Sequence, residues 1–269
     1  MQTFARIPEF RAARRSLDGT VGFVATMGAL HAGHRALVER ARADCDHVIA
    51  SVFVNPAQFD RADDLARYPR TLEADEALLA DAGCDLLFAP AREAMYGDDV
   101  SLSIDVGPIA ERYEGAFRPG HFGGVCLIVC KLFHVVAPQR AYFGRKDAQQ
   151  LAVIETMVRE LDFDLDVVPV ETVRDADGLA LSSRNRRLGE AGRREALGIS
   201  AGLFRARDAF QAGERDRALL EAAARTEGVD YEYCACVDPV DFGEPRRGYL
   251  MIAAATVDSV RLIDNVRLG

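Results

Sequence analysis

The chain has 269 residues, enough to bury a full core as one large domain or two modest ones. With 49% hydrophobic and 28% charged residues it has the balance of a soluble globular protein, and a net charge of -9 argues against a general nucleic-acid binder, which needs a basic surface. An anionic ligand must therefore meet a local cluster of cations on an acidic background.

In chain order, residues 1–17 are arginine-rich with Phe4, Ile7 and Phe10 at helical spacing, which predicts a short amphipathic first helix. They lack the continuous apolar core of a secretion signal. Residues 21–25 read as an apolar strand, followed by a helix over 33–43 and a second buried strand over 47–54. A helix over 72–82, closed by Gly83, leads to a short strand over 85–89. Residues 122–136 are apolar on nearly every side and predict a buried helix. The longest apolar run, 125–137, is broken by Lys131 and His134 and is too short to span a bilayer. A strand over 140–143, an amphipathic helix over 147–161 and a β-branched strand over 166–173 follow. This alternation predicts an α/β fold, a doubly wound parallel sheet covered on both faces, with ligands outside the carboxyl ends of its strands.

Past residue 173 the pattern changes: a polar loop, helices over 190–211 and 216–227, then strands over 231–237, 249–255 and 260–263 of a small antiparallel sheet. The boundary is placed between residues 174 and 175, giving a domain over 1–174 and a smaller α+β domain over 175–269. Cys45, Cys84, Cys126, Cys130, Cys234 and Cys236 form no Cys-x-x-Cys and lie in apolar segments, so they read as reduced, mostly buried cysteines of a reducing compartment, and the chain as cytoplasmic.

The most informative stretch is Thr26-Met27-Gly28-Ala29-Leu30-His31-Ala32-Gly33-His34, where a strand gives way to a helix. A helix N-terminus offers unpaired N–H groups and partial positive charge to an anion. Gly33 is expected to let a phosphate approach the backbone, and His31 and His34 to donate hydrogen bonds to its oxygens, more strongly if protonated. No Gly-x-Gly-x-x-Gly and no P-loop occurs, so this turn is the candidate nucleotide site.

Four further polar segments fall at predicted strand ends or loops: Asn55 with Gln58, Arg118 with His121, Gly144-Arg145-Lys146-Asp147 with Gln149 and Gln150, and Leu181-Ser182-Ser183-Arg184-Asn185. Each alone reads as a loop or a cap; together they supply donors for a triphosphate. Only Lys131 and Lys146 among 33 basic side chains are lysine, a bias that genome base composition also produces but that is equally what a need for a compact ammonium at these positions would leave. No activated nucleophile stands out, which points to catalysis by positioning and charge stabilisation.

In these motifs the chain resembles the pantothenate synthetases (pantoate–β-alanine ligases), nucleotidylyltransferases that share the His-x-Gly-His turn with class I aminoacyl-tRNA synthetases. The match runs collinearly over residues 22–188, through Phe53-Val54-Asn55-Pro56, Tyr68-Pro69-Arg70-Thr71, His121-Phe122, Lys146-Asp147 and Ser182-Ser183-Arg184-Asn185. It resumes at Leu262-Ile263-Asp264-Asn265. The resemblance implies a Rossmann-like ATP- and pantoate-binding domain with a C-terminal lid. It implies two-step ligation: pantoate and ATP give pantoyl adenylate and pyrophosphate, then β-alanine displaces AMP. By the same resemblance Met27, Gly28, His31, Gly33, His34, Gly144, Arg145, Lys146, Asp147, Val173, Leu181, Ser182, Ser183 and Arg184 line the ATP site. Gln58 and Gln150 bind pantoate, with Asn55, Arg118 and His121 as further substrate-side candidates. His34 is the proton donor, and His31, Lys146 and Arg184 offset charge on the leaving pyrophosphate. Mg²⁺ bridges phosphates, with no metal ligand identified in the chain, and a homodimer is implied. Departures from the family pattern are Ala25, Arg145, Ala148 and Leu181, of which Arg145 is expected to add positive charge beside Lys146. Two other readings stand beside the ligase: a nucleotidyltransferase with a different acceptor, and a non-enzymatic tRNA-binding relative of a synthetase domain.

Overall fold

The apolar runs form strands that lie side by side in a six-stranded sheet of order β1-β4-β3-β2-β5-β6, every pairing parallel. This is a computed structural model, and it describes residues 1–59, 62–97 and 100–269. The chain divides into two compact units, residues 1–144 with 153–170, and residues 145–152 with 171–269.

The first unit contains β1 (Gln2–Phe4), α1 (Ile7–Arg15), β2 (Val21–Thr26), α2 (Ala32–Asp44), β3 (His47–Val52), α3 (Ala62–Arg67) and α4 (Leu72–Asp81). It continues with β4 (Leu86–Phe88), α5 (Arg92–Tyr96), α6 (Glu114–Phe117), α7 (His121–Val136), β5 (Arg140–Gly144), the later part of α8 (Ala148–Glu160) and β6 (Asp166–Val170). β2 and β3 are buried at nearly every position, as expected of parallel strands with helices on both faces. Val24, Val38, Ala41, Val48, Leu79 and Leu87 share one core cluster with the fully buried Tyr142.

Residues 1–17 correct the expectation of a single first helix. Gln2–Phe4 pairs with β4 as an edge strand, and the helix starts only at Ile7. A three-residue strand is too short to show its own period, so Phe4 reads as part of the helical stripe. The arginines of α1 serve the neighbouring helix, where Arg11 donates to the carbonyl of His134, and Arg14 to those of Val136 and Ala137. They satisfy carbonyls that the end of α7 leaves without intrahelical partners. Elsewhere the strand ends shift. β3 stops at Val52 ahead of the Asn55-Pro56 turn, β6 stops at Val170 rather than 173, and β9 runs to Arg267 rather than 263.

The chain passes from β2 outward to β3 and β4, then returns to the other side of β2 for β5. The carboxyl ends of β2 and β5 therefore flank the topological switch point of the first unit, where ligands of such sheets collect.

In the second unit, α9 (Glu190–Gln211) and α10 (Arg217–Ala224) pack on an antiparallel sheet of β7 (Asp230–Val237), β8 (Leu250–Val257) and β9 (Val260–Arg267). Asp216 caps α10 by accepting from the N–H groups of Ala218 and Leu219. Ile199, Leu203, Leu220, Met251 and Val257 form its core. All six cysteines are free thiols and all but Cys130 are buried; burial pushes Cys84 and Cys126 up to about 12, which keeps them protonated and unreactive. Among the described residues, no helix is long and apolar enough to cross a membrane.

Candidate active site

The histidine turn begins where the Thr26 side chain donates to the Ser51 carbonyl at 2.7 Å and accepts from the Gly28 N–H at 3.2 Å. The backbone then turns left-handed, with φ of 83° at Gly28 and 53° at Ala29. A left-handed alanine is held only if its surroundings insist. Here they do: the Asp75 carboxylate, 2% exposed, accepts from the N–H groups of Ala29 at 3.1 Å and Leu30 at 2.8 Å. Thr71, the residue before α4, donates its hydroxyl to the same carboxylate.

α2 starts at this turn with a reciprocal cap. His31 Nδ1 accepts from the Gly33 N–H at 3.1 Å, and His34 Nδ1 accepts from the His31 N–H at 3.3 Å. It is the arrangement a Ser/Glu capping box makes, built from two imidazoles with ring centroids 4.2 Å apart. A ring accepting at Nδ1 carries its proton on Nε2, so each histidine presents an Nε2–H donor while neutral. This corrects the expectation that protonation strengthens the pair, since a second proton on Nδ1 would break a cap. Gly33 has a further structural use: a Cβ there would lie 2.9 Å from His31 Cε1, so the glycine makes room for the capping ring.

A second cluster in the same unit gathers four residues marked in the sequence. Asn55 donates to Gln58 Oε1 and to the Gly124 carbonyl, each at 3.0 Å. The Gly124 backbone comes so near the 56–58 turn that a Cβ would meet the Ala57 carbonyl oxygen at 2.1 Å. Gln58 Nε2 donates to Met27 Sδ at 2.9 Å, which joins this cluster to the histidine turn. His121 Nδ1 lies 2.8 Å from the Gln58 carbonyl oxygen, and Arg118 Nη2 donates to that oxygen at 3.3 Å. Arg118 and His121 thus hold the main chain that carries Gln58. Tyr96 donates to Asn55 Oδ1 at 2.7 Å, and burial raises its phenol to about 12.

The second unit holds the cations. Arg145–Asp147 forms a 3-10 turn leading into α8, and Ser182 caps a second 3-10 turn over Ser183–Arg187 by accepting from the Arg184 N–H at 3.2 Å. Lys146, Ser182 and Arg184 line one pocket with Asn185, Arg261 and Asp264. Val173 pairs its carbonyl with the Leu181 N–H at 3.0 Å, just ahead of the second turn. Arg145 does not add free charge beside Lys146: its Nε lies 2.7 Å from Glu171 Oε1. Gln150 stands in the first turn of α8, and Gly144 closes β5 opposite Val170.

The structure therefore brings together His31 with His34, Met27 with Gln58, Asn55, Arg118 and His121, and Lys146 with Ser182 and Arg184. Sequence reasoning passes over Asp75 and Tyr96. Asp75 has a signal, a carboxylate four residues before buried Leu79 on the inner stripe of α4. Tyr96 has none. Among the described residues, no group of three or more His, Cys, Asp or Glu is placed to hold a metal ion.

Known proteins resemble this chain along its length. The family described as pantoate-beta-alanine ligase matches residues 1–267. A bifunctional pantoate ligase/cytidylate kinase of Synechococcus elongatus is 51% identical over 96% of this chain, which spans only 51% of that relative's length. The crystal structure of pantothenate synthetase from Thermus thermophilus superposes with a TM-score of 0.93 at 46% identity, covering 100% of this chain and 99% of that one. The pantoate-beta-alanine ligase of Francisella tularensis, solved in complex with beta-gamma ATP and beta-alanine, gives 0.82 at 32% identity over 100% and 98% of the two chains. By sequence along its whole length, and by fold, the chain belongs to the pantoate–β-alanine ligase family.

Proposed function

We propose that the chain is an ATP-dependent ligase that joins pantoate to β-alanine through pantoyl adenylate, releasing pyrophosphate and then AMP. The observation that carries this reading is the bond between Gln58 and Met27. It sets an amide suited to a hydroxy acid directly against the nucleotide turn. Adenylation needs that adjacency, because a carboxylate must be held in line with the α-phosphorus.

In the first step a pantoate carboxylate oxygen bonds to the α-phosphorus and the bond to the β-phosphate oxygen breaks. We assign the Nε2–H groups of His31 and His34 to phosphate oxygens, and Lys146 and Arg184 to the charge that grows on pyrophosphate. Each such donor is typically worth ~3 kcal/mol of transition-state stabilisation. Gln58 and Gln150 orient pantoate. In the second step the β-alanine amine attacks the acyl carbon, AMP leaves with the electron pair of the broken acyl–oxygen bond, and the amine loses a proton. Mg²⁺ enters on the triphosphate as part of the nucleotide substrate. The same reading takes residues 1–174 as the ATP- and pantoate-binding domain and 175–269 as a smaller lid domain, of a cytoplasmic homodimer. The net charge of -9 weighs against the tRNA-binding alternative.

The test is pyrophosphate release from MgATP with pantoate alone, then AMP release on adding β-alanine, for wild type and His34→Ala. Pantoate-dependent pyrophosphate, β-alanine-dependent AMP and a loss of about 100-fold or more in the variant are expected. No pyrophosphate with pantoate would leave a nucleotide-binding fold with another acceptor.

A further inference from the structure

The Leu262-Ile263-Asp264-Asn265 motif has no part in the chemistry above, yet it lies under the Lys146 turn. Asn265, 8% exposed, points its amide nitrogen at two main-chain carbonyl oxygens of that turn, Arg145 at 2.9 Å and Lys146 at 2.8 Å. A side-chain NH₂ has two hydrogens in a fixed plane, and here each meets one carbonyl. The turn they grip is a single 3-10 turn, a form with poor internal hydrogen bonding.

Asn265 is itself held. Asp264, 5% exposed, takes a two-pronged ion pair from Arg174, Nη1 to Oδ2 at 2.7 Å and Nη2 to Oδ1 at 2.8 Å. Arg174 Nη2 also donates to the Asn265 carbonyl at 3.2 Å, and the Asn265 N–H donates to Asp264 Oδ1 at 2.7 Å. The other side of Arg174 reaches the segment that leads to Ser182 and Arg184. Its Nη1 donates to the Gly178 carbonyl at 3.1 Å, and its backbone bridges to Ala180. One dipeptide of β9 thus ties the turn bearing Lys146 to the hairpin that feeds Arg184.

We propose that Asn265, braced by the Asp264–Arg174 ion pair, is a positioning residue that sets Lys146 for the departing pyrophosphate. It touches no substrate and acts through the Lys146 main chain. This rests on the assignment of Lys146 to the leaving group made above.

The experiment is a double-mutant cycle on pantoate-dependent pyrophosphate release, with MgATP varied, for wild type, Asn265→Ala, Lys146→Ala and the double variant. Asn265→Asp serves as a second probe, keeping the shape while turning an acceptor towards both carbonyls. Loss of the strap is expected to lower kcat/KM for ATP by up to about 100-fold, the scale of an ångström's misplacement, with KM for pantoate within about twofold. In the Lys146→Ala background the same change is expected to cost less than about twofold, because the residue it positions is gone. Additive losses, or an Asn265→Ala enzyme as active as wild type beside an impaired Lys146→Ala, would overturn the proposal and leave the functional reading intact. A Lys146→Ala enzyme with full activity would instead remove the reading's own assignment. If both Asn265 variants are unfolded by circular dichroism, the residue serves the fold and the proposal falls.

Discussion

The histidine turn and the Lys146 turn are both places where the chain leaves a strand for a helix, yet they are built by opposite means. At the first, the donors are fixed from within: His31 and His34 cap each other's backbone across at most three residues. At the second, the cation's backbone is fixed by a side chain 119 positions further along the sequence. A cap made of helix-end geometry carries its own instructions, whereas a strap depends on a strand far away in the sequence. Changes near the first should act through the cap or through Asp75, which holds the backbone before it, and changes near the second through the strap from β9.

The largest effect expected on the first region is from Asp75→Ala, because Asp75 is the long-range support of the turn's left-handed backbone. Removing it leaves the Ala29 and Leu30 N–H groups buried without their acceptor, at about 1–3 kcal/mol each. The left-handed Ala29 also loses its restraint. Urea denaturation is expected to show a loss of ~3 kcal/mol, and pyrophosphate release a loss of about 100-fold from misplaced histidines. Asp75→Asn keeps one acceptor and should fall between. An Asp75→Ala enzyme with near-normal turnover would mean the reciprocal cap alone fixes the turn, which would sharpen the contrast further.

That same division explains what can be read from residues alone. The parallel sheet is legible because β2, β3 and the buried α7 carry long apolar runs, and the histidine turn because its pattern is contained in nine residues. The three-residue β1 is illegible, being shorter than any period that could identify it. The role of Gly33 is only half legible. Glycine at a helix N-terminus has two physical uses, near approach of a ligand and room for a neighbouring ring, and the second shows only once His31 is placed beside it. Arg145 is misjudged because its partner, Glu171, lies on another segment, and charge on a sequence carries no information about pairing. Asn265 is visible as part of a motif but has no visible target.

Gly33→Ala tests the cap with a middling effect. The new Cβ would sit 2.9 Å from His31 Cε1 and 3.0 Å from Nδ1, so the ring must leave the Gly33 N–H. Losing a cap costs ~1 kcal/mol, and replacing glycine by alanine inside a helix returns ~1 kcal/mol. Thermal stability should therefore change little while adenylation falls about 10-fold through the displaced imidazole. A drop in stability with activity retained would show that His31 acts as a cap only, and would detach it from the phosphates.

The smallest effect belongs to Arg145, and it is informative because of its neighbour. Arg145 and Lys146 are adjacent in sequence, both cationic, and both have carbonyls gripped by Asn265. Their side chains differ in what they face: Arg145 meets Glu171, whose side chain is 86% exposed, while Lys146 lines the pocket with Ser182 and Arg184. An ion pair with so exposed a partner is worth about 0–1 kcal/mol and is screened by salt. Arg145→Ala is therefore expected to leave stability within ~1 kcal/mol and to raise KM for ATP less than about threefold. The strap should be unaffected, since it binds the main chain and not the arginine. A rise of about tenfold or more in KM for ATP, fading with added salt, would mean that the guanidinium reaches the nucleotide despite Glu171. The boundary between the paired and the working cation would then have to move one residue towards β5.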